Sequence, residues 1–322
     1  MTRRLLIIFL LFIITKQGIG WGFFAHKKIN YHAVFLLPPE LMVLYKSQID
    51  FISEHSVDPD KRRYAVPNEG QRHYIDLDYY GQFPFKELPR KWNAAVSKFS
   101  EDTLFQYGTV PWWIQIMQTK LTEAFKEKNK MKILKLSADI GHYISDAHVP
   151  LHATLNHDGQ LTDQKGIHAF WESRIPELLA EKEWNFFIGK AAYVKNPGNF
   201  MWKRILESSA ASDTVLQVEK KLSQEFPTDQ KYSFEKKGNS TSRQYTTEYT
   251  IAYNKLLNGM VERRMRQSIF AVASFWYTAW VNAGQPDVSK LSDKEFTAEE
   301  VKEFEKLIVT WQRSMVPDKE QQ

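Results

Sequence analysis

The stretch from residue 142 to residue 172 constrains the fold and chemistry of this chain more than any other. It contains five of the nine histidines in the 322-residue sequence, interleaved with Asp146 and Glu172. His142 lies four residues before Asp146, and His168 lies four residues before Glu172. Because side chains at positions i and i+4 leave the same face of a helix, each pair predicts two ligands for one metal ion.

Three further histidines lie between these two pairs. Pro150 lacks an N–H group and clashes with the carbonyl group four residues earlier, so the helix carrying His142 is expected to bend or stop near it. His152 is then expected to be a further ligand. His148 is expected to support the site from outside the ligand set or to pack in the core, and no role is assigned to His157 in the following loop.

The absence of cysteine limits the chemistry of any metal site. With no cysteine in the sequence, disulfides and thiolate ligands are excluded, and a metal must be bound by histidine, carboxylate or other oxygen and nitrogen donors. Such donors suit zinc, and less specifically manganese or iron, in a multinuclear hydrolytic site. Ions in such a site generate hydroxide near neutral pH and neutralise the charge that grows on a phosphoryl or acyl oxygen.

A polar segment upstream of the histidine stretch offers additional donors. It contains prolines and reads as an irregular loop that leads into a short extended segment. Its acidic and imidazole side chains are His55, Asp58, Asp60, His73, Asp76 and Asp78. Three arginines in the same segment, Arg62, Arg63 and Arg72, could hold a phosphate group, although solvated charge is the simpler interpretation.

The first twenty residues have the layout of a secretory signal peptide. Arg3 and Arg4 precede an apolar run from residue 5 to residue 14, and small residues follow up to Gly20. The run is shorter than the roughly 20 residues that span a membrane. Removal of residues 1–20, which hold three basic and no acidic residues, would lower the net charge from +5 to +2. The basicity of the chain is therefore no argument for a nucleic-acid partner.

Hydrophobic periodicity predicts a mainly α fold, a single-domain helical bundle with long irregular loops around the metal site. The segment 236–244 is expected to be an exposed polar loop, and strand alternation is scarce. Thr297 and Glu300 form a capping box for the last helix. The predicted helices occupy 27–46 on either side of Pro38-Pro39, 112–125 after Pro111, about 131–147, about 202–225, about 246–283 and about 298–314.

Four motifs, in their order along the chain, resemble those of the zinc-dependent phospholipase C and single-strand-specific nuclease superfamily. Members of this superfamily are helical secreted phosphodiesterases with three zinc ions. They are the WGxxxH that begins at Trp21, the HYID at His73, the HxxxDxHxPLH from His142 to His152, and the HxxxWE from His168 to Glu172. The resemblance implies a zinc phosphodiesterase domain at 21–290, which follows the signal peptide predicted at 1–20. The C-terminal helical extension predicted at 291–322 is additional to the family core.

Carried across residue by residue, the resemblance implies nine zinc-binding residues. One of them, Trp21, would bind through the amino terminus that removal of the signal peptide creates. The first zinc would be held by Asp58, His73, His142 and Asp146, and the second by His152, His168 and Glu172. The third would be held by His26 and by the amino nitrogen and carbonyl oxygen of Trp21, and Asp146 would bridge it to the first. A metal-bound hydroxide would attack phosphorus, oriented or deprotonated by Asp58. Asp60 competes with Asp58, which is preferred because its fifteen-residue distance to His73 matches the nucleases.

The substrate and the activity stay open at this point. The resemblance implies an exported, periplasmic or extracellular, monomeric hydrolase without a stable protein partner that cleaves single-stranded nucleic acid or phospholipid. The aromatic residues Phe23, Phe24, Trp112, Trp113 and Phe170 could stack a base or line a lipid groove, or could be core. The alternative is a non-catalytic zinc-binding or scaffold protein of the same fold.

Overall fold

Helix α8, Lys130–Asp146, is the element around which the fold is arranged. Its N-terminus is capped by the Asn129 side chain, which accepts a hydrogen bond from the Lys132 N–H group. Residues around almost its whole circumference are buried, and the helices at 23–34, 49–54, 110–126 and 260–282 pack against it. The central position of α8 places the His142 and Asp146 side chains in the interior, where both are fully buried.

The computed structural model describes residues 22–237, 240–292, 298 and 302. The predicted signal peptide, Trp21 and nearly all of the predicted helix at 298–314 lie outside the described residues. The structure is mainly helical, as the sequence predicts. The α-helices are α1 Phe23–Val34, α2 Pro39–Ser47, α3 Ile49–Glu54, α4 Asp58–Arg62, α5 Trp92–Phe99, α6 Glu101–Gln106, α7 Val110–Lys126, α8, α9 Ile167–Ala169, α10 Ile175–Glu183, α11 Pro197–Glu225, α12 Thr247–Leu256 and α13 Met260–Asn282.

A π-helical turn, Phe170–Arg174, joins α9 to α10 without a break in the chain direction. Short 3₁₀ segments connect other helices, including His55–Val57 before α4 and Pro150–Ala153 after α8. Pro150 ends the regular helix, as predicted, and the 3₁₀ turn that follows carries His152. π-turns inside helices frequently accompany functional sites, and this one carries Glu172.

The single helix predicted at 246–283 is wrong, because the structure divides it into α12 and α13. Asn258 and Gly259 have φ angles of 51° and 69°, in the left-handed region. A helix cannot continue through two such residues, and glycine and asparagine adopt this conformation most readily. The apolar periodicity continues on both sides of the break, which is why it suggested one helix.

The exposed loop predicted at 236–244 is also wrong in part. Strands β1 (Tyr232–Lys237) and β2 (Ser240–Tyr245) form an antiparallel hairpin in which Tyr232 pairs with Tyr245. Most of the hairpin is polar, so it lacks the alternation of a half-buried strand. Arg174 anchors it by an ion pair of 2.6 Å with Glu235 and a hydrogen bond to the Tyr245 carbonyl oxygen.

Among the described residues, none of the helices combines the length and the apolar character needed to cross a membrane. The longest of these helices, α11, alternates buried residues with charged ones. The first turns of α13 contain three arginines and one glutamate. Their apolar faces instead contribute to one continuous core that extends from α1 to α13.

Candidate metal centre

Five donor side chains from distant parts of the chain meet at the C-terminal end of α8. This Asp146 cluster consists of His26, Asp60, His73, His142 and Asp146. Asp146 Oδ2 lies 2.9 Å from His73 Nδ1 and 3.2 Å from His142 Nε2, and Asp146 Oδ1 lies 3.4 Å from His26 Nε2. One carboxylate therefore faces three imidazole rings, and the four-residue spacing of His142 and Asp146 places both on one helical face, as predicted.

A second group, the Glu172 cluster, comprises His152, His168 and Glu172. Glu172 Oε2 lies 3.0 Å from His168 Nε2 and 3.6 Å from His152 Nε2. All three side chains are buried. The π-turn widens the helix between His168 and Glu172, yet the two side chains still face each other.

Hydrogen bonds to backbone carbonyl groups fix the orientation of three of these rings. The Nδ1 atoms of His142, His152 and His168 donate to the carbonyl oxygens of Ser56 (2.8 Å), His73 (2.7 Å) and His157 (3.0 Å). A neutral imidazole carries one proton, so its placement on Nδ1 leaves the Nε2 lone pair directed at the carboxylates. A hydrogen bond from one ring nitrogen to a carbonyl oxygen, which leaves the other nitrogen for a metal ion, is typical of histidines that bind metal.

The buried polar atoms of both clusters test whether a cation fits there. Asp60 Oδ1 and Asp146 Oδ1 make no hydrogen bond with any described residue, and neither do the Nε2 atoms of His26, His152 and His168. A buried polar atom without a partner costs about 1–3 kcal/mol. Several such atoms directed at common points, with oxygen and nitrogen donors alone, fit metal cations bound between them.

The electrostatics of the clusters also favour a cation. Burial lowers the pKa of His26 to about 4 and that of His73 to about 3, so both rings are neutral near pH 7. Glu172 is charged, because its two histidine neighbours outweigh burial and lower its pKa to about 2. Asp146 is held in the charged form in the same way, with a pKa well below its usual range. His26 and His73 are therefore in the neutral form that binds metal, whereas the carboxylates of Asp146 and Asp60 outweigh burial and raise the pKa of His142 to about 9, so a metal ion would have to displace a proton from that ring.

The structure does not bring Asp58, the ligand and catalytic residue preferred in the sequence, into the Asp146 cluster. Its carboxylate pairs with His55 Nδ1 at 2.6 Å and with Lys61 Nζ at 3.0 Å. Asp60 Oδ1 instead lies 3.7 Å from both His73 Nδ1 and His142 Nε2. Two residues of a helix differ by about 200° around its axis, so Asp58 and Asp60 leave nearly opposite faces of α4.

The described chain begins beside the Glu172 cluster. The Gly22 N–H group donates a hydrogen bond to the Glu172 carbonyl oxygen at 3.4 Å, and a Cβ atom at Gly22 would clash with the Ser173 side chain. Helix α1 then carries His26 into the Asp146 cluster, where its ring stacks on that of His142 with centroids 3.8 Å apart. Trp21 itself lies outside the described residues.

The other histidines and aromatic residues considered in the sequence lie elsewhere. His148 is buried and donates from Nδ1 to the Ile144 carbonyl oxygen, which agrees with a role outside the ligand set. Trp112 and Phe170 are core residues, and Trp113 lies under the Arg72 guanidinium at 3.9 Å. Phe23 is 43% exposed, so it is the one of these that solvent reaches most.

A small pocket of about 140 Å³ opens beside the Glu172 cluster. Its lining residues are Arg63, Tyr74, Asp76, Leu151, His152, His157 and His168. His157, which had no predicted role, therefore faces this pocket, and its carbonyl group orients His168. Tyr74 was not identified from the sequence, although its place within the HYID motif was a usable signal. Arg62, in contrast, is held by Asp139 and Glu69 away from the pocket.

No protein-family model matches the chain, and no curated protein matches it.

Proposed function

We propose that the protein is a zinc-dependent hydrolase of phosphate esters, of the nuclease or phospholipase C type. The observation that carries the proposal is the convergence of the Asp146 and Glu172 clusters. His152 of the Glu172 cluster donates a hydrogen bond to the carbonyl oxygen of His73 in the Asp146 cluster, and His152 and His168 line a pocket that also contains Arg63. The order and spacing of the motifs, from His73 to Glu172, support the same reaction class.

In this proposal three ions would be bound by residues that the described fold brings together and by Trp21, which precedes the described residues. Asp60, His73, His142 and Asp146 would hold the first, and His152, His168 and Glu172 the second. His26 would hold the third with the amino nitrogen and carbonyl oxygen of Trp21, and Asp146 would be shared. Zinc ions at these positions would lower the pKa of a bound water and neutralise charge on a phosphoryl oxygen.

The pocket side chains would bind and orient the ester. The planar guanidinium of Arg63 matches two phosphate oxygens, and it lines the pocket beside His152 and His168. Burial, and then the charge of Asp78, raise the pKa of Asp76 to about 8. At pH 7 the Asp76 carboxyl group is therefore mostly protonated, so it can donate a hydrogen bond to a substrate atom in the pocket.

Asp60 takes over the role that the resemblance assigned to Asp58. Asp60 Oδ1 lies 3.7 Å from both His73 Nδ1 and His142 Nε2, so it could bind an ion between them and accept a hydrogen bond from the water that this ion would hold. Asp60 is thus proposed both as a ligand and as the group that orients or deprotonates the attacking water.

The proposal includes export and a single-chain enzyme that acts on single-stranded nucleic acid or phospholipid. Its test combines metal analysis with substrate assays on the form that begins at Trp21. We expect about three zinc ions per chain and turnover of single-stranded DNA, RNA or phosphatidylcholine vesicles. Bound zinc without turnover of any of them would favour the alternative, a zinc-binding scaffold, and the absence of bound metal would contradict both.

A further inference from the structure

An arginine-lined cleft of about 420 Å³ lies between α11, α13 and the extended segment that follows α10. Its side chains include three arginines, Arg204, Arg263 and Arg266, and three apolar residues, Ile188, Phe200 and Phe270. None of the lining residues is acidic, and none belongs to the metal clusters or to the pocket beside them. This arginine cleft is therefore a separate feature of the surface.

The positive charge of the arginine cleft is only partly balanced. Glu207 lies 3.0 Å from Arg204 and 3.5 Å from the buried Arg264, so one carboxylate serves two guanidinium groups. Within the described part of the chain, Arg263 and Arg266 have no carboxylate within ion-pair distance. Two charges beside an already shared carboxylate attract anions from solution.

Backbone carbonyl groups hold the two unbalanced arginines in place. Arg263 donates to the carbonyl oxygen of Asn258, and Arg266 donates to that of Phe187 at 3.1 Å. Each of these contacts uses one N–H group of a guanidinium that has five. The remaining donors can still bind the oxygen atoms of a phosphate, and their positions are already fixed.

The residue whose carbonyl group binds Arg266 is also an exposed aromatic residue. The Phe187 side chain is 91% exposed, and its N–H group donates to Asn185 Oδ1 at 2.7 Å. Ile188, the next residue, lines the arginine cleft. An apolar ring that projects from a positively charged surface, with its backbone held at both ends, is typical of a residue that inserts into the headgroup region of a membrane.

We propose that the surface formed by Arg263, Arg266 and Phe187 docks the protein on membranes that contain anionic phospholipid. The arginines would bind lipid phosphates, and Phe187 would enter the interfacial layer. Single-stranded nucleic acid fits this surface less well, because one projecting ring beside two arginines offers neither a run of cations nor a series of stacking faces. The inference is independent of the hydrolase proposal, since it uses none of the same residues.

Co-sedimentation of the full chain with vesicles tests the proposal. The probe is a vesicle of phosphatidylcholine with 30% phosphatidylserine, because phosphatidylserine presents both a phosphate and a net negative charge. The protein should bind these vesicles and should bind vesicles of pure phosphatidylcholine more weakly. Binding should also fall as salt rises. The variant Arg263→Gln/Arg266→Gln should lose about 25-fold in partitioning, or about fivefold per arginine.

Two more variants separate docking from general charge. Phe187→Ser leaves the net charge unchanged and should weaken binding by about tenfold through the lost apolar contact. Lys220→Gln/Lys221→Gln removes two exposed charges from α11, about 24 Å along the helix from Arg204. This variant should weaken vesicle binding less than twofold. Unchanged far-ultraviolet circular dichroism and melting temperature would show that each variant is folded.

Three outcomes would overturn the proposal. The first is equal binding by the wild type and the double arginine variant. The second is a loss in the lysine variant as large as in the arginine variant, which would show that only net charge matters. The third is retention on single-stranded oligonucleotides that depends on Arg263 and Arg266, with no vesicle binding.

Discussion

His142 Nε2 lies 3.0 Å from His73 Nδ1 in the interior of the protein. The Ser56 carbonyl oxygen accepts the Nδ1 proton of His142, and the carboxylates of Asp146 and Asp60 outweigh burial and raise the pKa of His142 to about 9, so His142 Nε2 can carry a second proton that it shares with His73. Two ring nitrogens this close must share a proton or a cation. Charge balance at the end of α8 therefore depends on what occupies the space beside Asp146.

We expect removal of metal to destabilise the protein. Without a cation several buried atoms of the two clusters, such as Asp60 Oδ1 and His168 Nε2, make no hydrogen bond with a described residue, so a chelator should lower the melting temperature, and zinc should restore it. A ligand present at 1,000 times its Kd stabilises the folded state by about 4 kcal/mol per site. Calorimetry with and without chelator measures the effect. Identical transitions in the two samples would contradict metal binding by these clusters.

Asp60→Asn should reduce both zinc content and activity, and Asp58→Asn should change neither by more than about twofold. Loss of a group that orients a metal ligand costs about 10–100-fold in affinity, and loss of a ligand should cost at least as much. The two substitutions remove the same charge from the same short helix, so each controls for the other. Zinc titration and hydrolysis rates would distinguish them, and the reverse pattern would restore Asp58 as the ligand.

An additional methionine before Trp21 should remove one zinc ion and most of the activity without unfolding the protein. A free α-amino group has a pKa of about 8 and can bind metal after it loses a proton, whereas a peptide nitrogen at the same position cannot do so readily. Zinc content per chain is the measurement, and the same residue added after Gln322 is the control. Three zinc ions in the extended form would refute Trp21 as a ligand.

Gly141→Ala should destabilise the protein by about 1–3 kcal/mol, although alanine is favoured over glycine within a helix. A Cβ atom at Gly141 would lie 2.2 Å from Asn30 Oδ1, and Asn30 bridges the carbonyl groups of Ile52 and Ala138. Gly70→Ala is the matched control, because its nearest contact would be 3.5 Å. Denaturant unfolding of both variants tests this. A Gly141→Ala protein as stable as the control would show that Asn30 can move away.

The sequence predicts the parts of the site that depend on local periodicity. The pairs His142 with Asp146 and His168 with Glu172 follow from helical spacing, and Pro150 correctly indicates where α8 ends. The choice between Asp58 and Asp60 depends on the direction in which α4 packs against α8. Spacing to His73 does not contain that information, because the intervening chain is irregular.

Two features of the fold were hidden for different physical reasons. The break between α12 and α13 depends on the backbone conformation of Asn258 and Gly259, while the surrounding apolar pattern is uninterrupted. The hairpin at 232–245 is stabilised by contacts such as Arg174 with Glu235, which join residues about 60 positions apart. Neither tertiary contacts nor single backbone angles can be read from the period of hydrophobic residues.

The wide separation of the donors along the chain has a consequence for biosynthesis. The two clusters draw on α1, α4, the segment before His73, α8 and the turns up to Glu172, so their donors extend over residues 26–172. A nascent chain that has not yet exposed Glu172 to solution lacks a complete set of ligands for a second ion. Any cation that these clusters bind would therefore be selected where folding finishes, by the ions available in that compartment, and not where translation begins.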